Sequence, residues 1–485
     1  MLEQVVIYHM ENAKYPDKET DFRPEEKYPE YLFEEISTCE NNVYKMVRES
    51  FHLLGYDIEN YGTTDWNPLK EIIKPGDNVL LKPNMVMDKN PSGEGELCLY
   101  TQPSVVAAVI DYVLIALKGS GRIVVGDAPM QECRFDKLVQ QSGYDRMIDY
   151  YKSKNVDIEL VDFRELQSYI KAGIHYQVIN ENSKGTVVDL QNESEFSTYD
   201  KEQLEKLRIT NYDPTILPTH HQPGKHEYFI SNYVLEADVI ISLPKPKTHR
   251  KAGITAALKN LVGINVRKEF LPHHCVGDVS SGGDEYRVKS YNKRVEAFLL
   301  DKINYASAHS QYAWARILRI IKKVNSQIIK LDKDKYREGS WYGNNTISKT
   351  IVDLNKILLY SDKNGQLKKE KQRKLFVVAD IIVSGEKEGP VMPSAKDVGI
   401  IAMGADPVCF DETISAIMGM DVNKIPTIRQ VRNMTGNLKI TEPSSRAQII
   451  SNNEMWDGKD ISEIRYEDSL KFEPTSGWKG HIESK

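Results

Sequence analysis

ADVIISLPKPKTHRKAGITAALKNLVG, residues 237–263, is the stretch whose reading decides the fold. Residues 238–243 form a short apolar run of the kind found in a parallel sheet covered on both faces. Pro244 and Pro246 stop that strand. Lys245, Lys247 and His249 then follow at the carboxyl end, where open α/β sheets bind their ligands. The spacing predicts a helix over 253–263 carrying Lys259, so the cations that leave the sheet edge reappear on the helix behind it. This pattern suits an anionic substrate or a ligated cofactor.

Working outward, the turn Lys74-Pro75-Gly76-Asp77 leads into an apolar strand at 78–81, which Lys82-Pro83-Asn84 ends. Thr101-Gln102-Pro103-Ser104 starts a helix over 105–117, and Gly119 and Gly121 lead from it into a strand at 122–125 closed by Gly126-Asp127-Ala128-Pro129. Strand, helix, strand implies a right-handed parallel crossover. The buried-strand pattern resumes at 374–383 and 398–403, and a helix follows through Met418. The expected class is therefore α/β, a mostly parallel sheet flanked by helices, with a largely helical insertion. Its expected parts are a lead-in and helix over 1–70 and a first core segment over 71–265 with a polar insertion near 175–228. A loop and helical insertion over 266–370, a second core segment over 371–430 and a polar tail over 431–485 complete it.

Hydrophobic residues make up 40% of the 485 and charged residues 28%, which excludes wholesale disorder. The net charge of -6 argues against a dedicated nucleic-acid binder, since phosphate contacts need a basic surface. No apolar run approaches the roughly 18 residues of a membrane-spanning helix, and the first residues lack the pattern of a signal peptide, so a cytoplasmic location is expected. The five cysteines stand apart with no CxxC pair, so no iron–sulfur cluster is expected. There is no GxGxxG and no GxxxxGK[ST], which leaves nicotinamide binding and ordinary NTPase chemistry unsupported. Residues 295–329 read as helical and basic on one face (Arg316, Arg319, Lys322, Lys323), the pattern of a peripheral membrane or partner contact as well as of a solvated face.

In a parallel sheet the strand ends share one edge, so Lys82, Asn84, Asp127, Lys245, Lys247, His249 and the Glu386/Glu388 pair are expected to line one cleft. The lysines hold phosphate or carboxylate as point charges. Asp127 suits a sugar hydroxyl or a plain turn. His249 is a candidate acid, base or metal ligand. Glu386 and Glu388 alternate on an extended segment and point one way, which suits a hard cation or a proton-transfer pair. His273, His274, Asp406 and Asp411 are weaker metal candidates, and Asp406 before Pro407 also has the pattern of a helix N-cap.

VLLKPNMV (79–86), IVVGDAP (123–129), the opening stretch, WYGNNT (341–346), and GEKEGP with GADPVCFD (404–411) together resemble the family catalogued as the domain of unknown function numbered 362. That resemblance implies little chemistry. His249, Ala252-Gly253 and Lys259 also reproduce a spacing, HxxAGxxxxxK, similar to that of the lactate racemase family. This more distant resemblance implies a nickel-pincer nucleotide carried on Lys259, proton transfer through His249, and nickel ligation near His273 and His274. The chain departs from the racemases at Ala256-Ala257, where they have a glycine pair, and lacks the LPG that follows their lysine.

The residues lead to an expected α/β enzyme that binds a small anionic hydroxylated molecule and moves a proton at carbon, as an epimerase, isomerase or lyase does. His249 and Lys259 are the expected catalytic pair, assisted by Glu386 and Glu388 and by a divalent metal such as nickel or magnesium. The alternatives are a non-catalytic ligand-binding or membrane-associated scaffold, and magnesium-dependent phosphoryl transfer.

Overall fold

Ten short strands join one sheet in a computed structural model that describes residues 1–16, 22–329 and 334–484. In chain order they are β1 (Leu2–His9), β2 (Asn78–Pro83), β3 (Arg122–Asp127), β4 (Ile158–Asp162), β5 (Val239–Leu243), β6 (Lys247–His249), β7 (Gly253–Thr255), β8 (Lys374–Glu388), β9 (Met392–Gly404) and β10 (Arg446–Ser451). Across the sheet they run β10-β1-β9-β8-β5-β2-β3-β4, with β6 paired to β8 and to β7. The block β8-β5-β2-β3-β4 is wholly parallel, and β9 runs antiparallel to both β8 and β1. The fold is therefore α/β with a mostly parallel sheet.

The apolar runs are buried on both faces because successive side chains leave a strand on opposite sides. Val79, Leu81, Val125 and Ile241 join one core with the helices Asn42–Leu53 and Pro103–Leu117. Leu80, Val124 and Ile240 join another with the helix Thr346–Tyr360. Each such side chain contributes roughly 1.5–3 kcal/mol of burial. The helix Pro103–Leu117 returns the chain from β2 to β3, so both strands end at the same edge.

Three expected elements differ from those observed. The strand begun at Lys374 does not end at Val383; β8 continues to Glu388 as a long hairpin with β9 that projects past the parallel block. Instead of a helix over 253–263, the chain forms β7, one turn of helix (Ala257–Asn260) and a 3-10 turn (Leu261–Ile264). Gly253 has φ +82 and the β-branched Ile254 and Thr255 follow it, so this segment pairs with β6 before it can coil. The helical stretch over 295–329 is two helices, Tyr291–Ala308 and Tyr312–Ile329, reversed at Ser310, which sits at φ 58. Among the described residues no helix is long and apolar enough to cross a membrane.

Where β5 stops, a buried charge cluster ties it to β8. Lys245 Nζ lies 3.0 Å from Asp380 Oδ1 and donates to Tyr15 Oη at 2.6 Å, while the other carboxylate oxygen accepts from Gln102 N at 2.9 Å. Both charged side chains are fully buried. Removing one charge leaves the other buried without a counter-charge, so Asp380→Asn is expected to cost about 3–5 kcal/mol of stability, read by urea unfolding. A loss below about 1 kcal/mol would show that Lys245 finds other company.

Candidate functional site

The carboxyl ends of β2 and β3 meet the short helix Ala257–Asn260 through one ion pair. Lys82 Nζ donates to Asp127 Oδ1 at 2.7 Å and to Pro83 O at 3.1 Å, and both side chains are buried. Asp127 also accepts from Met85 N at 2.7 Å and Ala128 N at 2.8 Å, so its carboxylate is fully occupied. Asn260 Nδ2 donates to Lys82 O and to Ser242 Oγ, each at 3.0 Å, and pins the helix to both strands. Gly263 completes the join: a Cβ there would stand 1.8 Å from Asp127 Oδ1.

Over this pair lies a cavity of about 160 Å³. Asn84, Asp127, His249, Lys259 and His273 line it, together with Arg250, Lys251, Lys268, Thr210 and Tyr212. Among the described residues, Lys251, Lys259 and Lys268 form no ion pair. Lys251 Nζ reaches Thr210 Oγ1 at 3.2 Å and Lys268 Nζ reaches Val262 O at 3.4 Å, both uncharged, and Lys259 Nζ has no hydrogen bond among the described residues. Among the described residues Asp127 is the only carboxylate lining the cavity, and Lys82 already neutralises it.

Burial holds all three ammonium groups below their usual range. Lys259 is lowered to about 8 by burial first and by Lys82 second. Lys251 is lowered to about 8 and Lys268 to about 7, again chiefly by burial. Lys259 is placed by Asp411, whose carboxylate accepts from Ala257 N at 2.7 Å and Leu258 N at 3.2 Å, the free donors of that helical turn.

His249 and His273 enter with opposite polarity. His249 Nδ1 accepts from Lys251 N and Ala252 N, both at 3.0 Å, so the neutral ring carries its proton on Nε2. His273 Nδ1 stands 2.9 Å from Leu271 O and donates to it, which leaves its Nε2 as an acceptor. Burial, followed by the neighbouring lysines, holds both rings well below the ordinary histidine range. The cavity thus offers the three lysines and Arg250, one neutral donor and one neutral acceptor.

The remaining sequence candidates lie elsewhere. Lys245 is engaged by Asp380, and Lys247 by Asn84 Oδ1 at 3.0 Å and by Leu99 O. Lys82 serves the ion pair beneath the cavity. Glu386 accepts from Glu473 N at 3.0 Å and pairs with Lys396, and Glu388 accepts from Ser476 N at 2.8 Å. They do not line the cavity because their carboxylates face Lys396 and the tail at Glu473 and Ser476, while the tip of the same hairpin, Pro390 and Val391, does line it. His274 points away and lines a separate small cleft with Glu285 and Glu338. Asp406 caps the helix Pro407–Met418 through Val408 N and Cys409 N. Among the described residues no three His, Cys, Asp or Glu converge as a metal site requires.

The nickel-bearing nucleotide implied by the racemase resemblance does not fit these residues. Lys259 is unpaired, as an anchor must be, but a cavity of about 160 Å³ is well under the roughly 300–1,000 Å³ of pockets that hold ligands of that size. His273 Nε2 has a lone pair to give, but among the described residues no group of three His, Cys, Asp or Glu that could hold a metal forms around it.

The model of the family described as domain of unknown function DUF362 matches residues 79–188 and 176–416, which includes every lining residue. The chain belongs to the DUF362 family. A thylakoid-associated protein of Synechocystis sp., sll1697, is 28% identical to this DUF362 chain over 191 residues, 39% of the chain. The match spans 40% of that relative's length. Among solved structures, the lactate racemase apoprotein from Thermoanaerobacterium thermosaccharolyticum aligns with 89% of the chain and 85% of its own, at 10% identity and a TM-score of 0.29, too low to carry an argument.

Two outcomes follow. Gly263→Ala drives a methyl group into the Lys82–Asp127 pair and is expected to cost about 1–3 kcal/mol by urea unfolding; an unchanged midpoint would mean that the pair can shift freely. A lysine whose folded value is about 8 binds fewer protons folded than unfolded up to 10.5, so its contribution to stability rises with pH over that window. Lys259→Met is therefore expected to be the more stable form at pH 6.5, on the order of 2 kcal/mol, with the advantage vanishing toward pH 10. A gap that does not change with pH in paired thermal melts contradicts the lowered value.

Proposed function

We propose that this chain is an isomerase-type enzyme that binds a small anionic hydroxy or oxo acid in the lysine-lined cavity and moves a proton at the carbon beside its carboxylate or, in an oxo acid, beside its oxo group. The observation that carries this reading is the set of three lysines without carboxylate partners around a cavity of about 160 Å³. Uncompensated buried cations are costly, and an anionic ligand supplies the missing charge.

Lys251 and Lys268 hold the acid group by charge. Lys259, lowered to about 8, is neutral often enough near pH 7 to take a proton from carbon and charged enough to return it. The C–H electron pair forms a C=C bond to the adjacent carbonyl carbon, of the carboxylate in a 2-hydroxy acid or of the ketone in a 2-oxo acid, as the C=O π pair moves onto oxygen. His249 Nε2–H donates to that oxygen as it gains charge. A neutral imidazole serves here as an electrophilic donor, because the two backbone N–H groups on Nδ1 oppose the tautomer that would make Nε2 a base. Return of the proton from Lys259 to the same or the adjacent carbon closes the cycle with atoms and charge balanced.

The test is hydrogen exchange. Small 2-hydroxy and 2-oxo acids are incubated with the full chain in D₂O, and loss of the C–H signal is followed by NMR. Exchange is expected with the wild type, with a drop of about 10²–10⁴-fold in Lys259→Met. His249→Asn keeps an acceptor for the two backbone N–H groups but lacks the Nε2–H, and is expected to lower exchange about 10²–10³-fold without losing binding. Binding without exchange would replace this reading with that of a ligand-binding protein, and no binding of any acid would end it.

A further inference from the structure

The helix Tyr312–Ile329 packs on the rest of the chain by a narrow stripe. Ala315 and Leu318 are buried, and Lys322 and Asn325 are half-buried on the same line. Asn325 Nδ2 donates to Asn292 O at 3.0 Å and Lys322 pairs with Glu296 at 3.4 Å, so that line faces the helix Tyr291–Ala308. From Ala313 to Gln327 the other side chains are exposed, except the half-buried Ser326. Trp314, Ile317, Ile321 and Val324, at spacings of three and four, form one exposed apolar face with Ile320 beside it. Ile320 is 66% exposed and Val324 64%, values at which a water-facing helix normally carries polar residues.

The polar part of the same helix is purely cationic. Arg316, Arg319, Lys322 and Lys323 are joined by no Asp or Glu within Tyr312–Ile329. Arg319 and Lys323 form no ion pair among the described residues, and Arg316 reaches only the Tyr176 hydroxyl, at 3.1 Å. The helix is held firmly on this side, since Tyr176 stacks on Tyr312 at 4.3 Å. A rigid helix that presents an aromatic and aliphatic face flanked by unpaired cations matches the boundary between anionic headgroups and acyl chains. A second copy of the chain would bring like charges together and so fits less well.

We infer that the helix Tyr312–Ile329 docks this protein on an anionic lipid surface, with Trp314, Ile317, Ile320, Ile321 and Val324 entering the acyl boundary and Arg319 and Lys323 meeting the headgroups. The docking is peripheral, and it is independent of the chemistry in the lysine-lined cavity.

The full chain is sedimented with vesicles of phosphatidylcholine alone and of phosphatidylcholine with phosphatidylglycerol. The expected result is binding at least about 10-fold stronger to the anionic vesicles, weakened by salt. Ile317→Ser/Ile320→Ser/Val324→Ser is expected to lose at least about 10-fold of that binding with its thermal melt unchanged, because all three side chains are exposed. Brominated lipid supplies a second measurement on the unaltered chain: of the five tryptophans only Trp314 is exposed, so quenching of tryptophan fluorescence reports its insertion. Absence of binding to anionic vesicles, equal binding by the triple variant, or binding without quenching each overturns the inference. So does a concentration-dependent dimer that the triple variant abolishes, which would make a second copy the occupant.

Discussion

Most of what this site can do depends on the buried pair of Lys82 and Asp127. It joins two neighbouring parallel strands at their carboxyl ends and, through Asn260, fastens the turn that carries Lys259. Charge accounting around it explains the rest. Asp127 is neutralised from beneath by Lys82, so it cannot also neutralise Lys251, Lys259 and Lys268 above it. Burial of two opposite charges is roughly neutral for stability when their remaining hydrogen bonds are made, as they are here. The pair therefore fixes geometry at little net cost and leaves the cavity cationic.

The sheet was legible because buried parallel strands read as unbroken apolar runs; β2, β3 and β5 are such runs, and the residues that end them are polar. That is also why Asn84, Asp127, His249 and Lys259 could be named as neighbours before any coordinates. Arg250 and Lys251 stand one and two residues after His249 in the same motif, but without the turn geometry nothing shows that both reach the cavity. Lys268 follows a 3-10 turn that has no periodicity to read. Thr210 and Tyr212 come from the polar stretch near 175–228, where no pattern points inward. Glu386 and Glu388 lie outside for a reason of direction: the β8–β9 hairpin reaches the cavity at Pro390 and Val391, but both carboxylates are taken by backbone N–H groups of the tail, which has no motif to announce it.

The two histidines show how far backbone hydrogen bonds decide side-chain chemistry. As residues in a sequence they are interchangeable acid, base or ligand candidates. In the fold, two N–H groups face Nδ1 of one and a carbonyl faces Nδ1 of the other, which sets opposite tautomers within one cavity. The lysines around them reinforce this by disfavouring any further positive charge.

The tail contributes more than cover. Trp478 Nε1 donates to Arg250 O at 2.8 Å, and Trp478 and Ile482 pack so closely on Gly253 that a Cβ there would meet Ile482 at 2.8 Å. The turn bearing His249, Arg250 and Lys251 thus has a back wall made by residues more than two hundred positions downstream. During synthesis the parallel strands can pair well before that wall exists. The back of the turn that bears His249 and Lys251 is therefore closed only after Trp478 and Ile482 have been made, later than every strand of the parallel block.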